Sequence, residues 1–270
     1  MSREERAHMA ELLRSADAVV IAASNGFDIA DGYNQFSSDR EYVRVFGDLR
    51  QRYGVGSILM GLVATWPNDA CRWKFLTRLI AYGYRDYEPS PVMRVLDRLT
   101  ADVPRFVVTC NCNGRFERAG FSPDALLETE GSYARLRCTG GCTEETFDAL
   151  LYLGSNKPPR CPRCGAPLDV AVDDAGKIAH LEPFRSQTAN LHAFLAEHET
   201  ARACVLELGV GQRNRAIKAP LMAWAEAAPR ASYVVINREE PVLPSLPPER
   251  TAAVQGNLRE VLLALDEEAR

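Results

Sequence analysis

RFVVTCNCNGRFERAG, residues 105–120, is the stretch from which this chain is best read. Arg105–Cys110 is a short run of apolar, β-branched and aromatic residues, the composition of a strand buried on both faces. At Asn111 and Asn113 the run turns abruptly polar, as a strand does where it leaves the core for a loop. The same character returns in ADAVVIAAS (16–24), Leu126–Thr129, ACVLELG (203–209) and SYVVIN (232–237). Helical spacing of apolar residues fills the intervals at Glu4–Ser15, Cys71–Tyr84, Pro91–Leu99, Leu191–Glu199, Ala219–Ala227 and Leu258–Glu268. Buried strands alternating with helices predict an α/β fold, a parallel sheet covered by helices on both faces. Such sheets take ligands at the carboxyl ends of their strands, near the topological switch point. That rule singles out Ala22–Phe27, Thr109–Asn113 and Gly209–Gly211.

Composition narrows the rest. Apolar residues make up 46% and charged residues 25% of 270, ordinary values for a globular chain. A formal net charge of −4 gives no basic footprint, so no nucleic-acid partner is expected. The opening MSREERAHMAELLRSA is charged and has no apolar signal core, and no apolar stretch is long enough for a bilayer. The expectation is a soluble, cytoplasmic protein with no membrane partner.

Four of the eight cysteines stand apart: Cys138 and Cys142 in CTGGC, Cys161 and Cys164 in CPRCG. Each pair sits on a glycine- or proline-bearing knuckle. Eighteen intervening residues let the knuckles meet around one tetrahedral ion. Four thiolates suit Zn²⁺ and leave no open position, so the metal is expected to be structural. Cys71, Cys110, Cys112 and Cys204 read as buried thiols. Residues 36–91 read as a helical insertion and 138–178 as a zinc-ribbon module. Residues 1–35, 92–137 and 179–270 remain for the sheet domain.

With these segments in order, the chain resembles a sirtuin. The resemblance is carried by AASNGFDIADG (22–32), TCNCNGRFERAG (109–120), ETEGS (128–132), the cysteine quartet, ELGVG (207–211) and VVIN (234–237). ELGVGQRN, FERAGFS and EGSYARLRC are more similar to the macrodomain-linked, class M branch than to histone deacetylases. The resemblance implies a Rossmann-like domain and NAD as the ligand. It places Ala22, Ala23, Ser24, Gly26, Phe27, Thr109, Asn113, Gly209, Val210, Gly211, Asn237, Gly256 and Asn257 around NAD. Asn111 falls under the nicotinamide ribose by the same likeness. Asn113 stands where the family has Asp in the nicotinamide subsite, and Asn237 where an asparagine meets the adenosine ribose.

Where the family's deacylases carry a histidine base, this chain has Glu130. General-base help of that kind is worth ~10²–10⁴ in rate. Its loss points away from efficient acyl transfer. Transfer of ADP-ribose to a nucleophile needs no such base, and a carboxylate can stabilise positive charge developing on the ribose. The remaining histidines, His8, His180, His192 and His198, read as structural or surface residues. The expected function is therefore protein mono-ADP-ribosylation. The class M likeness implies a protein acceptor, a lipoylated carrier protein among the candidates, and a macrodomain hydrolase that removes the mark.

Two departures keep alternatives open: a degenerate NAD- or ADP-ribose-binding module, or a weak deacylase. Ala22 and Ser24 replace the glycines of the usual phosphate loop. Asp28 and Asp31 follow, where carboxylates either oppose an anion or point away from it. Tyr33, Phe36, Tyr42 and Phe46 read either as a loop closing over the nicotinamide end or as core. Trp66 and Trp73 read as lining a groove beside the sheet domain. Arg213 is a candidate acceptor contact, with Arg215 and Lys218 forming a solvated basic turn as the plainer reading.

Overall fold

A computed structural model of the chain describes residues 2–155, 157–173 and 175–269. In chain order its strands are β1 (Ala18–Ala23), β2 (Arg105–Thr109), β3 (Leu126–Glu128), β4 (Gly131–Cys138), β5 (Phe147–Asp148), β6 (Leu168–Val172), β7 (Ala203–Leu208), β8 (Ser232–Asn237) and β9 (Thr251–Gln255). The helices are α1 (Arg3–Arg14), α2 (Asn25–Ala30), α3 (Arg40–Tyr53), α4 (Ile58–Val63), α5 (Asp69–Ile80), α6 (Pro91–Thr100), α7 (Arg115–Arg118), α8 (Ala175–Ile178), α9 (Phe184–Glu197), α10 (Arg215–Ala227) and α11 (Leu258–Ala269).

The larger sheet runs β3-β2-β1-β7-β8-β9, with every neighbouring pair parallel. The chain steps outward through β1, β2 and β3, then returns to add β7, β8 and β9 on the other side. The switch point therefore lies between β1 and β7. Alternation along β1 feeds two cores. Val19, Ile21 and Ala23 pack with Met9, Leu13, Leu96 and Leu262 from α1, α6 and α11. Val20 and Ala22 pack with Leu191, Ile217 and Leu221 from α9 and α10. Both faces of the strand are apolar because both are covered.

A second sheet, β5-β4-β6, is antiparallel. Its Tyr133, Leu136, Leu168 and Val170 share one core with Tyr42, Phe46, Ile58 and Phe75 from α3, α4 and α5. The helical segment and the cysteine-bearing sheet thus form one lobe, tied also by Arg72, which grips Asp169 at 2.8 and 3.0 Å.

Several expectations change. Tyr33, Tyr42 and Phe46 are core of this lobe and close over nothing, while Phe36 stays exposed. Trp73 packs inside it and Trp66 against it, donating to the Ser155 and Gly61 carbonyls; Trp73 borders a small hollow facing Pro158, Pro167 and Leu168, and neither ring lines a groove beside the sheet domain. Beyond Ile80 the α-helix gives way to a π-helical turn, Ala81–Arg85. β9 is half-exposed at the sheet edge, so TAAVQ lacks the apolar run by which the inner strands were legible. Among the described residues no helix is long and apolar enough to cross a membrane.

Candidate active site

The carboxyl ends of β1, β2, β7, β8 and β9 converge on one crest. At its centre the loop after β1 meets the loop after β7. Gly26 N–H donates to the Gly209 carbonyl at 3.1 Å, and Ser24 N–H to Leu208 at 3.3 Å. A Cβ built on Gly26 would lie 2.6 Å from Gly209 Cα, and Gly209 itself has φ +62°. Only glycine fits either place.

Two hollows flank this contact and share Gly26, Ile29, Gly209, Asn237 and Arg238 as walls. The first, about 500 Å³, extends over Gly256, Asn257 and Arg259 at the start of α11. The second, about 710 Å³, opens toward Ser24, Asn25, Cys110, Glu130, Arg213 and Asn214. Together they form a trench across the switch point, each half of the size that small-molecule sites occupy. A third hollow of about 550 Å³ lies between the lobes. Its arginines are paired, Arg115 with Asp31, Arg78 with Asp48 and Arg44 with Glu41, which leaves little charge for a ligand.

The structure places the expected residues unequally. Gly26, Gly209, Asn237, Gly256 and Asn257 line the first hollow; Ser24, Gly211 and Glu130 join the second. Ala22 and Ala23 sit wholly buried within β1, and Phe27 stacks on Phe116 in the core at 5.3 Å. None of these three reaches a hollow. Thr109 and Val210 are buried and act through their backbone neighbours. Thr109 Oγ1 accepts from Asn111 N–H at 3.0 Å, and the Val210 carbonyl accepts from Asn237 Nδ2 at 2.7 Å. Asn237 Oδ1 accepts from Glu239 N–H at 3.3 Å, so this amide shapes the loops after β7 and β8.

Asn111 is 3% exposed and donates through Nδ2 to the Ser24 carbonyl at 3.1 Å. Its Oδ1 is buried and has no partner. Asn111 walls neither hollow, so this orphaned acceptor lies beneath the trench surface. Asn113 does not face a hollow. Its Nδ2 donates to the buried Asp28 at 2.7 Å and its Oδ1 accepts from Arg115 N–H at 3.1 Å. Burial lifts the Asp28 carboxyl to about 7 against the pull of Asn113 and Arg115. Asp31 accepts from Tyr87 at 2.9 Å and from Arg115 at 2.8 Å, and that guanidinium lies over the Tyr33 and Tyr87 rings. Both carboxylates therefore turn away from the crest, and neither opposes an anion there.

Glu130 is exposed on the rim, held through its carbonyl, which accepts from Cys112 Sγ at 3.3 Å and Asp173 N–H at 3.2 Å. No histidine lines either hollow among the described residues. His8 and His198 meet the carbonyls of Thr251 and Phe194, and His180 and His192 are exposed on the surface. Lys218 departs from expectation: it is 6% exposed and paired with the wholly buried Glu207, which also accepts from Tyr233 at 2.9 Å. Both groups lie on the buried face of α10 and β7, where each is the other's counter-charge. Arg213 and Arg215 do line the second hollow.

Sequence reasoning missed Arg238, Asn214 and the exposure of Cys110 to the second hollow. Asn214 caps α10 and donates to Cys110 Sγ at 3.2 Å. A polar residue just before a helical pattern was the available signal. Glu128 was missed as well; it is 4% exposed at the end of β3, and burial lifts its carboxyl to about 8.

Cys138, Cys142, Cys161 and Cys164 come together with all four Sγ atoms within 4.8 Å of one another. Neighbouring sulfurs are 3.5 to 3.6 Å apart. A disulfide needs about 2.05 Å. Four sulfurs about 2.3 Å from a central zinc would stand about 3.8 Å apart, close to what is seen. The four thiols therefore fit a closed tetrahedral zinc site.

A doubly wound parallel sheet with a glycine-pinched crest, a trench over its switch point and a small cysteine-bearing lobe defines the Rossmann-like class of α/β protein. More particularly, the fold is that of the Sir2 enzymes, the sirtuins. A Sir2 homologue in complex with ADP-ribose matches with a TM-score of 0.59 at 20% identity, covering 100% of this chain and 97% of that one. A Sir2 homologue in complex with NAD gives 0.56 at 18%, covering 97% and 93%. No protein-family model matches. In sequence the chain is similar to a protein ADP-ribosyltransferase of Staphylococcus aureus (strain Mu50), 25% identical over 267 residues, spanning 92% of this chain and 84% of that protein. It is also similar to a probable bifunctional ADP-ribose hydrolase/ADP-ribosyltransferase of Fusarium oxysporum f. sp. cubense, 26% identical over 233 residues, 76% of this chain and 37% of that longer protein.

Proposed function

We propose that the chain is an NAD-dependent protein mono-ADP-ribosyltransferase. One observation carries the reading: the rim of the second hollow bears a carboxylate, Glu130, and no imidazole among the described residues. The similar proteins named ADP-ribosyltransferases support it. The trench fits a dinucleotide with its reacting sugar in the second hollow, beside Glu130 and the Ser24 to which Asn111 is bonded. When bound, NAD supplies an electrophilic ribose carbon and nicotinamide as the leaving group.

In this reading the chain's own residues divide the work. Asn111 offers a neutral, preoriented acceptor to a ribose hydroxyl, held by Ser24 so that it loses no freedom on binding. Glu130 places negative charge where positive charge develops on the sugar. Gly256 and Asn257 frame the opposite end. Asn113 and Asp28 brace the loop after β2 from behind.

The acceptor we propose is a protein, with a lipoylated carrier protein the first candidate and a macrodomain hydrolase the partner that reverses the mark. The Fusarium relative, whose name joins hydrolase to transferase, supports that pairing. Incubation with NAD and a lipoylated carrier, then intact-mass spectrometry, tests the function. The expected product is a carrier heavier by one ADP-ribose. Removal of acyl groups from acyl-lysine peptides without any adduct would make the chain a deacylase. Binding without nicotinamide release would make it a degenerate module.

A further inference from the structure

We propose that Arg213 and Arg215 select an acidic acceptor, a protein segment with carboxylates beside the group to be modified. The inference rests on the function proposed above and names its substrate class. Four arginines line the trench: Arg213 and Arg215 the second hollow alone, Arg259 the first alone and Arg238 both. No ion pair among the described residues engages any of them. In the third hollow, by contrast, every arginine has its carboxylate. The chain as a whole carries a formal net charge of −4, so the excess is local and not a basic surface at large.

Local structure fixes where this pair stands. Arg215 N–H donates to the Arg213 carbonyl at 2.9 Å and Asn214 N–H to that of Gly211 at 3.0 Å, a tight turn into α10. Between them the Asn214 side chain is committed inward. Its Nδ2 donates to Cys110 Sγ at 3.2 Å, and its Oδ1 accepts from Ile217 N–H at 3.4 Å. Arg213 and Arg215 flank it, both exposed. The first turn of α10 holds no acid, whereas those of α1, α3 and α5 carry Glu4, Glu41 and Asp69. Helix dipole and guanidinium charge there have the same sign, which an external carboxylate relieves. A planar guanidinium takes such a carboxylate through paired donors. The dinucleotide's phosphates do not account for the pair. A diphosphate joins two nucleoside ends and lies where the hollows meet, while Arg213 and Arg215 touch only the half that the acceptor enters. Glu130, after β3, stands across β2 and β1 from the loop after β7. An acidic segment held at α10 therefore approaches the sugar from the side opposite Glu130.

Fluorescence anisotropy of the full chain with short labelled peptides, at saturating ADP-ribose, tests the assignment. One peptide is rich in aspartate and glutamate, one is built of serine and glycine, and one is rich in lysine. Wild type is expected to bind the acidic peptide about tenfold or more tightly than the other two, with the preference fading as salt rises. Arg213→Glu with Arg215→Glu should abolish the preference and leave ADP-ribose affinity, read by calorimetry, within about twofold. Arg3→Glu, a charge reversal on α1 away from both hollows, should keep the preference. No preference in wild type, a preference that survives the double reversal, or one lost equally in Arg3→Glu would overturn the proposal. So would a loss of ADP-ribose affinity matching the loss of peptide, which would give the arginines to the dinucleotide. A wild-type chain that binds neither ADP-ribose nor NAD would instead overturn the function proposed above, and this inference with it.

Discussion

Gly26 and Gly209 touch across the switch point of the sheet, Gly26 N–H bonded to the Gly209 carbonyl at 3.1 Å with no room for a side chain on either. The two loops that would carry a dinucleotide are thus one rigid floor. Gly26→Ala forces a Cβ to within 2.6 Å of backbone, and Gly209→Ala adds strain at φ +62°. Each is expected to lower stability by about 2 kcal/mol or more, read by chemical denaturation. A variant as stable as wild type would show that the loops part easily.

The cysteine quartet is expected to hold one zinc per chain, measurable by elemental analysis. Cys138 and Cys161 belong to the same core as Trp73, so losing the metal removes support from the whole small lobe. Cys161→Ser or a strong chelator should shift tryptophan emission to the red and lower Tm. A chain that keeps its melting curve with no metal bound would contradict this.

Lys218 and Glu207 form a buried pair that anchors α10 beneath the second hollow. Removing one partner strands a charge, so Lys218→Met should cost about 3–5 kcal/mol. Replacing both, with Glu207→Gln beside Lys218→Met, should cost less than the sum of the single changes. Simple additivity in the denaturation midpoints would argue against direct coupling.

Stability should fall as pH rises from about 4.5 to 8. Burial lifts Glu128 to about 8 and Asp28 to about 7, so the folded chain holds protons that the unfolded chain releases. That contribution is whole below the unfolded values near 4 and is lost as pH climbs through the folded ones, at up to about 1.4 kcal/mol per pH unit and group. Glu128→Gln should flatten the decline. An identical pH profile in the variant would remove Glu128 as its source.

How far residues alone reached depended on burial. Val19–Ala23 and Val205–Leu208 announced their strands because both faces of the sheet are covered, whereas Thr251–Gln255 at the edge gave no apolar run. The cysteine quartet was legible because metal ligands fix their own spacing. The substitution of serine for glycine at Ser24 was visible, but not its consequence. Which amides the loop spends on itself is a tertiary fact, and so is the turning of Asp28 and Asp31 away from the crest. Lys218 misled because a lysine beside two arginines reads as surface until its partner on another element is known.

The most direct measurement is nicotinamide release from NAD alongside ADP-ribose incorporated into acceptor protein, for wild type and Glu130→Gln, with ADP-ribose affinity measured for both. The account predicts release matched by incorporation in wild type. In the variant both should fall about 100-fold or more while ADP-ribose still binds. Full transfer by Glu130→Gln, or release in wild type coupled only to loss of an acyl group, would contradict it.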